Sequence, residues 1–230
     1  IYMIVHDVPG ILAADPKIVK RPAPIETLSY PELQLLSAAG TQVLHESAVA
    51  PVRERQIPLH IRSTFAPDAP GTRIGFDAPA SLSASGVIGF AGRRPVSMLR
   101  VIFPENTEET ALWEVRACLN EHRIETFHSA CGVEGLCLLL SSGAEADALH
   151  AAAEQLRERF PDAKVKLREN LAVLLALCRS TKDIPKLSAA IEASGAPVHH
   201  LVQTPPGAMF CVNDSQYEQA LRAAYGAAFA

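Results

Sequence analysis

Apolar positions recur with two different periods along the chain, and where each runs out marks its elements. Residues 1–5 are a short continuous apolar run, as expected of a strand in a covered parallel sheet. Residues 7–24 carry no period and are broken by Pro9-Gly10, Asp15-Pro16 and Pro22-x-Pro24, so they read as loop. Ser29-Tyr-Pro-Glu32 has capping-box spacing: the serine oxygen accepts from the third amide of the first turn and the glutamate reaches back. It predicts a helix that Gly40 ends. A second helix is predicted over 47–55, an alternating strand over 57–63 and a turn over 67–71. Residues 77–86, mostly Ala, Ser, Pro and Gly, make the best linker.

From Gly86 onward the pattern becomes two tandem units of strand, helix, strand, strand, helix. In the first, 96–103 is a strand, and Asn106-x-x-Glu109 caps a helix with Ala111, Leu112, Val115, Cys118 and Leu119 on one face. Strands over 124–130 and 136–140 flank Gly132, and Ser142-x-x-Glu145 caps a helix whose stripe runs through Leu149, Ala152 and Leu156 to Phe160. Val165 and 171–177 lead into the second unit. Its first helix is signalled by Ser180-x-x-Asp183, closed by Gly195, and buries Ile184, Leu187 and Ile191. Strands over 198–202 and 208–212 follow, and Asn213-x-x-Gln216 caps a last helix carrying Tyr217, Ala220, Leu221 and Ala224. Capping signals at matching points of both units indicate an internal repeat.

Composition narrows the function classes. With 230 residues and 48% hydrophobic content the chain can bury one or two cores, and its length suggests two or three compact units. Its net charge of −4 comes with interspersed signs and no basic stripe, which argues against nucleic acid as a partner. Arg100, Glu114 and Arg179 interrupt the greasiest stretches, so no run approaches the roughly 20 apolar residues of a bilayer span, and a membrane role is not expected. Cys118, Cys131, Cys137, Cys178 and Cys211 are odd in number, widely spaced and lack a Cys-x-x-Cys pair, so they read as reduced core residues of a cytoplasmic protein. The strand-like opening has no charged leader, and the expectation is a piece of something longer. His199 and His200 fall on a predicted strand, where their rings point to opposite faces and cannot chelate one metal. Trp113 is expected on a helix face at a unit interface. No catalytic residue and no metal ligand is assigned.

Two motifs carry a family resemblance. The run Asp7-Val-Pro-Gly-Ile-Leu-Ala-Ala-Asp-Pro-Lys17, and Gly40-Thr-Gln-Val-Leu-His45 one helix later, resemble aspartate kinase motifs that read Thr-Asp-Val-x-Gly-Ile-x-x-x-Asp-Pro-Arg and Gly-Ala-Lys-Val-Leu-His-Pro. The tandem units resemble a pair of ACT domains, the ferredoxin-like modules that bind small amino acids. The ending Met209-Phe-Cys-Val-Asn-Asp-Ser-Gln-Tyr-Glu-Gln-Ala-Leu-Arg-Ala-Ala224 is similar to that family's last strand and helix. The implied fold class is α/β, α+β in the regulatory part: a partial amino-acid-kinase sheet followed by two ferredoxin-like βαββαβ ACT domains. The implied boundaries are 1–76 for the kinase remnant, 77–86 for the linker, 87–166 for the first ACT unit and 167–230 for the second. One unit is inserted into the other in that family, so the strand near 86–90 would join the second. The family's amino-terminal Lys-Phe-Gly-Gly-Thr-Ser motif does not occur in the chain.

The resemblance implies a site as well as a fold. ATP and Mg²⁺ would serve the parent enzyme, with His6, Asp7, Gly10, Leu12, Lys17 and Gln42 on the nucleotide side. Lys17 replaces an arginine, keeping charge and losing the bidentate fork. His6 replaces a threonine, Gln42 a lysine and Glu46 a proline, which makes the site less favourable to a polyphosphate. The chain alone is therefore expected to be inactive and to hold no cofactor tightly. The effector candidates are Asn106, Thr107, Phe127, His128, Ser129 and Ala130, with lysine, threonine or methionine as ligand. Phe127 stands where lysine-sensitive relatives have an aspartate, and Glu108 and Glu109 at the helix start repel a carboxylate. The implied partners are a second copy, pairing through ACT edges, and the missing kinase lobe. The first reading is the carboxy-terminal regulatory part of an aspartate kinase, which converts ATP and L-aspartate to 4-phospho-L-aspartate for lysine, threonine and methionine synthesis, with room for a second enzyme after Ala230. The alternatives are a non-catalytic regulatory subunit and an amino-acid-sensing dimerisation module.

Overall fold

Ser29 sets the first helix where its neighbours predict it. The computed structural model describes residues 2–6, 10–40, 46–66, 68–76, 86–104, 109–133, 135–141, 143, 145–204 and 206–229. Helix α1 (Tyr30–Ala38) starts after Ser29, whose hydroxyl accepts from the Glu32 amide at 3.3 Å while the Ser29 amide donates to Glu32 Oε2 at 2.7 Å. Both halves of the capping box are thus formed. Tyr30, Leu33 and Leu36 are buried. Gly40 adopts φ 111°, open to glycine and strained for other residues, and the helix stops.

The first sheet contains β1 (Tyr2–His6), β2 (Thr27–Ser29), β3 (Leu59–Ser63) and β4 (Thr72–Gly75) in the order β1-β3-β4-β2. Strand β1 runs parallel to β3 with Tyr2 opposite Leu59, β3 runs antiparallel to β4, and β2 runs parallel to β4. The alternation over 57–63 is realised: Leu59, Ile61 and Ser63 are buried while His60 and Arg62 are less so. Helix α2 (Glu46–Glu54) precedes β3. The pattern does not predict β2 and β4, because three and four residues are too few to show a period.

The rest of the chain supplies β5 (Val87–Ile102), α3 (Glu109–Glu121), β6 (Thr126–Gly132), β7 (Gly135–Leu140), α4 (Ala146–Arg159) and β8 (Lys164–Cys178). A 3₁₀ turn at Thr181–Asp183 leads into α5 (Ile184–Ala193), β9 (His200–Thr204), β10 (Gly207–Asn213) and, after a second turn, α6 (Tyr217–Phe229). The sheet order is β6-β7-β5-β8-β10-β9. The chain forms two compact units: unit 1 is Ile1–Arg93 with Val173–Ala230, and unit 2 is Arg94–Ala172. The first stretch of β5 and the last of β8 therefore belong to unit 1. In unit 1, Leu28, Tyr30, Leu36, Ile61 and Ile74 share one core with Ile88, Leu175 and Leu177. Unit 2 has its own core, built on Leu99, Val101, Val115, Leu119, Leu138 and Leu156.

Several expectations need correction. The separate strand signals near 86–90 and over 96–103 belong to one strand of 16 residues, and those around Val165 and 171–177 to one of 15. Arg94 and Pro95, and Arg168 and Asn170, interrupt the apolar pattern without breaking the strands, because they occupy exposed positions on continuous backbone. Helix α4 begins at Ala146 with Glu145 itself as N-cap and no side-chain cap bond, so Ser142-x-x-Glu145 is not a capping box; Ser142 lies outside the described residues. Asn213 does not cap either: its Oδ1 meets His199 Nε2 at 2.8 Å and its Nδ2 donates to Gln216 Oε1 at 2.7 Å. Ser180 accepts from the Lys182 amide but opens the 3₁₀ turn rather than α5. Asn106 lies outside the described residues. His199 precedes β9 instead of lying on it. Cys131 is exposed near the end of the edge strand β6, whereas the other four cysteines are buried; all five are free thiols. Trp113 is 70% exposed.

Candidate functional site

The loop between β1 and β2 is built around one glycine and one threonine. Gly10 has φ 127°, and a Cβ there would lie 2.7 Å from Thr72 Oγ, so the position admits no side chain. That approach lets the Ile11 amide donate to Thr72 Oγ at 2.8 Å, while the Thr72 hydroxyl donates to the Ile25 carbonyl at 2.6 Å. The Ile25 amide reaches the Ile11 carbonyl and the Ala13 amide the Ala23 carbonyl, both at 2.8 Å. Two limbs are thereby clipped side by side, and Leu12 bridges to Pro24 between them.

At the tip, Asp15 organises a turn. Its Oδ1 accepts from the Lys17 amide at 2.8 Å and its carbonyl accepts from the Ile18 and Val19 amides. Lys17 is exposed there. Gly10, Leu12 and Lys17 thus share one clipped loop, and His6 ends the strand that leads to it. Asp7 and Gln42 lie outside the described residues. Sequence reasoning missed Thr72, which ties both limbs and is fully buried; a lone threonine in a short strand carries no signal of that role.

Beyond the loop, the chain passes through β2 to a buried ion pair. Arg179 Nε donates to Glu32 Oε1 at 2.7 Å and its Nη2 to Oε2 at 3.1 Å, the parallel geometry that makes such pairs strong. Burial pushes the Glu32 carboxyl up, but its bonds from Arg179 and from the Ser29 amide and hydroxyl outweigh this and hold it below the ordinary 4.5. One carboxylate therefore closes the α1 cap and receives a guanidinium from just past β8.

The four described effector candidates lie in unit 2 and fall on both sides of one strand. Phe127, His128, Ser129 and Ala130 are half-buried on β6, which pairs antiparallel with β7 after a register shift between Thr126 and His128. Ser129 stands opposite Leu138, whose side chain enters the core under α3, and Arg116 of α3 donates to Ser129 Oγ at 2.9 Å. His128, next along the strand and opposite Leu139, points to the other face. Its Nε2 is buried without a hydrogen-bond partner, and burial lowers its pKa from 6.5. Arg116 Nε is likewise buried without a partner. The structure thus joins Ser129 to Arg116, which sequence reasoning overlooked, and separates both from His128. The available signal was helical spacing, since Arg116 follows the apolar Leu112 by one turn. Asn106 and Thr107 lie outside the described residues. Among the described residues, no group of three His, Cys, Asp or Glu side chains comes together to hold a metal, and no helix is long and apolar enough to cross a membrane.

Known proteins share this architecture. The profile of the amino acid kinase family matches residues 1–63. Aspartokinase 3 of Bacillus subtilis is 23% identical over 232 residues, covering 97% of this chain and 51% of that protein. The crystal structure of Clostridium acetobutylicum aspartate kinase aligns with 99% of this chain and 54% of its own, at a TM-score of 0.85 and 26% identity. The regulatory subunit of aspartate kinase from Thermus flavus matches 62% of this chain and 98% of its own at a TM-score of 0.53 and 19% identity, a likeness of fold alone. The chain spans about half the length of the Bacillus and Clostridium proteins. Its fold is α/β, an amino-acid-kinase sheet followed by ferredoxin-like βαββαβ units of the ACT type. The amino acid kinase profile on residues 1–63 and the whole-chain likeness to two aspartate kinases make the chain similar to the aspartate kinases from end to end.

Proposed function

We propose that this chain is the carboxy-terminal regulatory part of an aspartate kinase, supplying one side of the nucleotide site and the ACT module that controls it. The observation that carries this reading is the clipped loop of residues 10–25, which holds Lys17 exposed at its tip on a sheet of the amino-acid-kinase family. Phosphoryl transfer from ATP to a carboxylate needs cations and amide donors held in place while negative charge spreads over the γ-phosphate. Lys17 supplies one such cation, and Mg²⁺ would be bound with the nucleotide by the longer enzyme. The aspartate-binding lobe must come from outside these residues, so the chain alone transfers no phosphate. The effector is an amino acid, lysine, threonine or methionine, held at β6. Supporting this, His128 Nε2 is buried on that strand with bonding capacity the protein does not use. The working form is a homodimer through ACT edge strands, and the compartment is the cytoplasm.

Hydroxylamine trapping tests the reading. The chain with ATP, Mg²⁺ and aspartate should give no acyl hydroxamate, while the longer protein should, and Gln42→Lys should raise its rate. No product from the longer protein, with or without Gln42→Lys, would refute the catalytic half. A second reading, a non-catalytic regulatory subunit, is favoured by Gln42 in place of the family's lysine and by the match to 98% of the Thermus regulatory subunit. The reading frame before residue 1 separates the two: a lobe bearing Lys-Phe-Gly-Gly-Thr-Ser supports the first.

A further inference from the structure

The loop of residues 10–25 is fastened from outside its own sheet at three points, one on each of its parts. On the first limb, the Ala13 carbonyl accepts from the Phe90 amide of β5 at 2.7 Å. On the second limb, the Ala23 amide donates to Tyr225 Oη of α6 at 2.9 Å. At the tip, the Ile18 carbonyl accepts from Arg222 Nε, also on α6, at 3.1 Å.

Tyr225 and Arg222 are three residues apart and so lie on one side of α6. The Tyr225 ring stacks on Phe229 with centroids 4.7 Å apart and planes at 16°, and each ring lies 6.4 Å from Phe90. These contacts leave the hydroxyl little freedom. Arg222 is steadied by Glu218, one turn back, at 2.9 Å. Strand and loop also touch directly, since a Cβ on Gly89 would come within 3.1 Å of Ala13 Cα. The other side of α6 is buried through Ala220, Leu221 and Ala224. The helix is therefore embedded on one side in the carboxy-terminal part of unit 1 and holds the loop with the other.

We propose that Tyr225 and Arg222 are positioning residues through which α6 sets the conformation of the nucleotide-side loop, so that a displacement of this helix reaches Lys17 directly. The proposal rests on the reading of the loop of residues 10–25 as the nucleotide side and adds to it the route of control. Single hydrogen bonds suit such a link: each biases a loop by an amount that a modest shift of the helix can reverse.

Tyr225→Phe tests it, because the stacked ring stays and only the acceptor for the Ala23 amide is lost. In amide exchange on this chain, Ala23 should exchange about five- to tenfold faster, the worth of one ordinary hydrogen bond, while β3 and β4 keep their protection. Arg222→Gln should do the same for the amides of residues 17–20. In the longer enzyme both variants should raise the KM for ATP several-fold and leave kcat and the KM for aspartate unchanged. Unchanged exchange at Ala23 in Tyr225→Phe overturns the anchoring. Faster exchange with an unmoved KM for ATP overturns the positioning role. Failure of the underlying reading looks different: the wild-type longer protein would then transfer no phosphate at all, whatever the exchange data show.

Discussion

Glu32 in unit 1 and His128 in unit 2 are both ionisable groups withdrawn from water, and the chain answers each in the opposite way. Glu32 is given a bidentate guanidinium, a backbone amide and a serine hydroxyl, so its charged form is the stable one despite burial. His128 Nε2 is given nothing, and its neutral form is favoured. A buried charge is tolerated only when its bonds are complete, so Glu32 belongs to the scaffold. His128 Nε2 is left on β6 with bonding capacity that the protein does not use.

The largest expected effect breaks the satisfied side of this contrast. Arg179→Met leaves the Glu32 carboxylate buried with half its partners and should lower stability by about 3 kcal/mol in urea unfolding. Replacing both residues by apolar ones of similar volume should restore most of that loss. A single-variant cost near zero would show that the pair does not hold unit 1. Next in size, Ser29→Ala removes one acceptor of the capping box and should cost about 1 kcal/mol by the same measurement.

The pH dependence sharpens the comparison, because both groups lose stability on acidification but in different windows. Glu32 has a folded pKa below its ordinary 4.5, so its contribution is complete above that value and disappears as pH falls through the folded pKa. Urea midpoints of the wild type should therefore drop more steeply below about pH 4.5 than those of Arg179→Met. His128 has a folded pKa below 6.5, so the unfolded chain takes up its proton first, and a penalty grows as pH falls from 6.5 toward the folded value. His128→Leu should remove that part of the slope and cost under about 1 kcal/mol at pH 8, since no bond is lost. A variant with the wild-type slope between pH 7 and 5 would place the imidazole in water.

How much of this could be read from residues alone depends on whether a feature is local. The α1 cap was legible because its groups lie within one turn, and the apolar stripes of α3, α5 and α6 because their spacing is helical. The apolar pattern breaks β5 and β8, since Arg94-Pro95 and Arg168-Glu169-Asn170 disturb it without ending the backbone ladder. Two of the repeat's capping signals fail for a related reason. Asn213 spends its amide on His199, and Glu145 takes the cap position itself. In the candidate site, Gly10, Leu12 and Lys17 were found by motif, yet Thr72, Arg179, Arg222 and Tyr225 act across long separations in sequence and leave no local trace. Arg116 is within reach of helical spacing, one turn after Leu112, but the residue pattern does not show that its guanidinium turns to Ser129.

Unit 1 is made from two stretches of chain with unit 2 between them, and this has a consequence for synthesis. The loop that carries Lys17 emerges before unit 2, but its anchors Arg222 and Tyr225 and the guanidinium of Arg179 are translated only after all of unit 2. A ribosome stalled within unit 2 would therefore display a first sheet whose loop is untethered and whose Glu32 has no countercharge. Chaperone engagement and proteolytic nicking should concentrate there until the final helix leaves the exit tunnel.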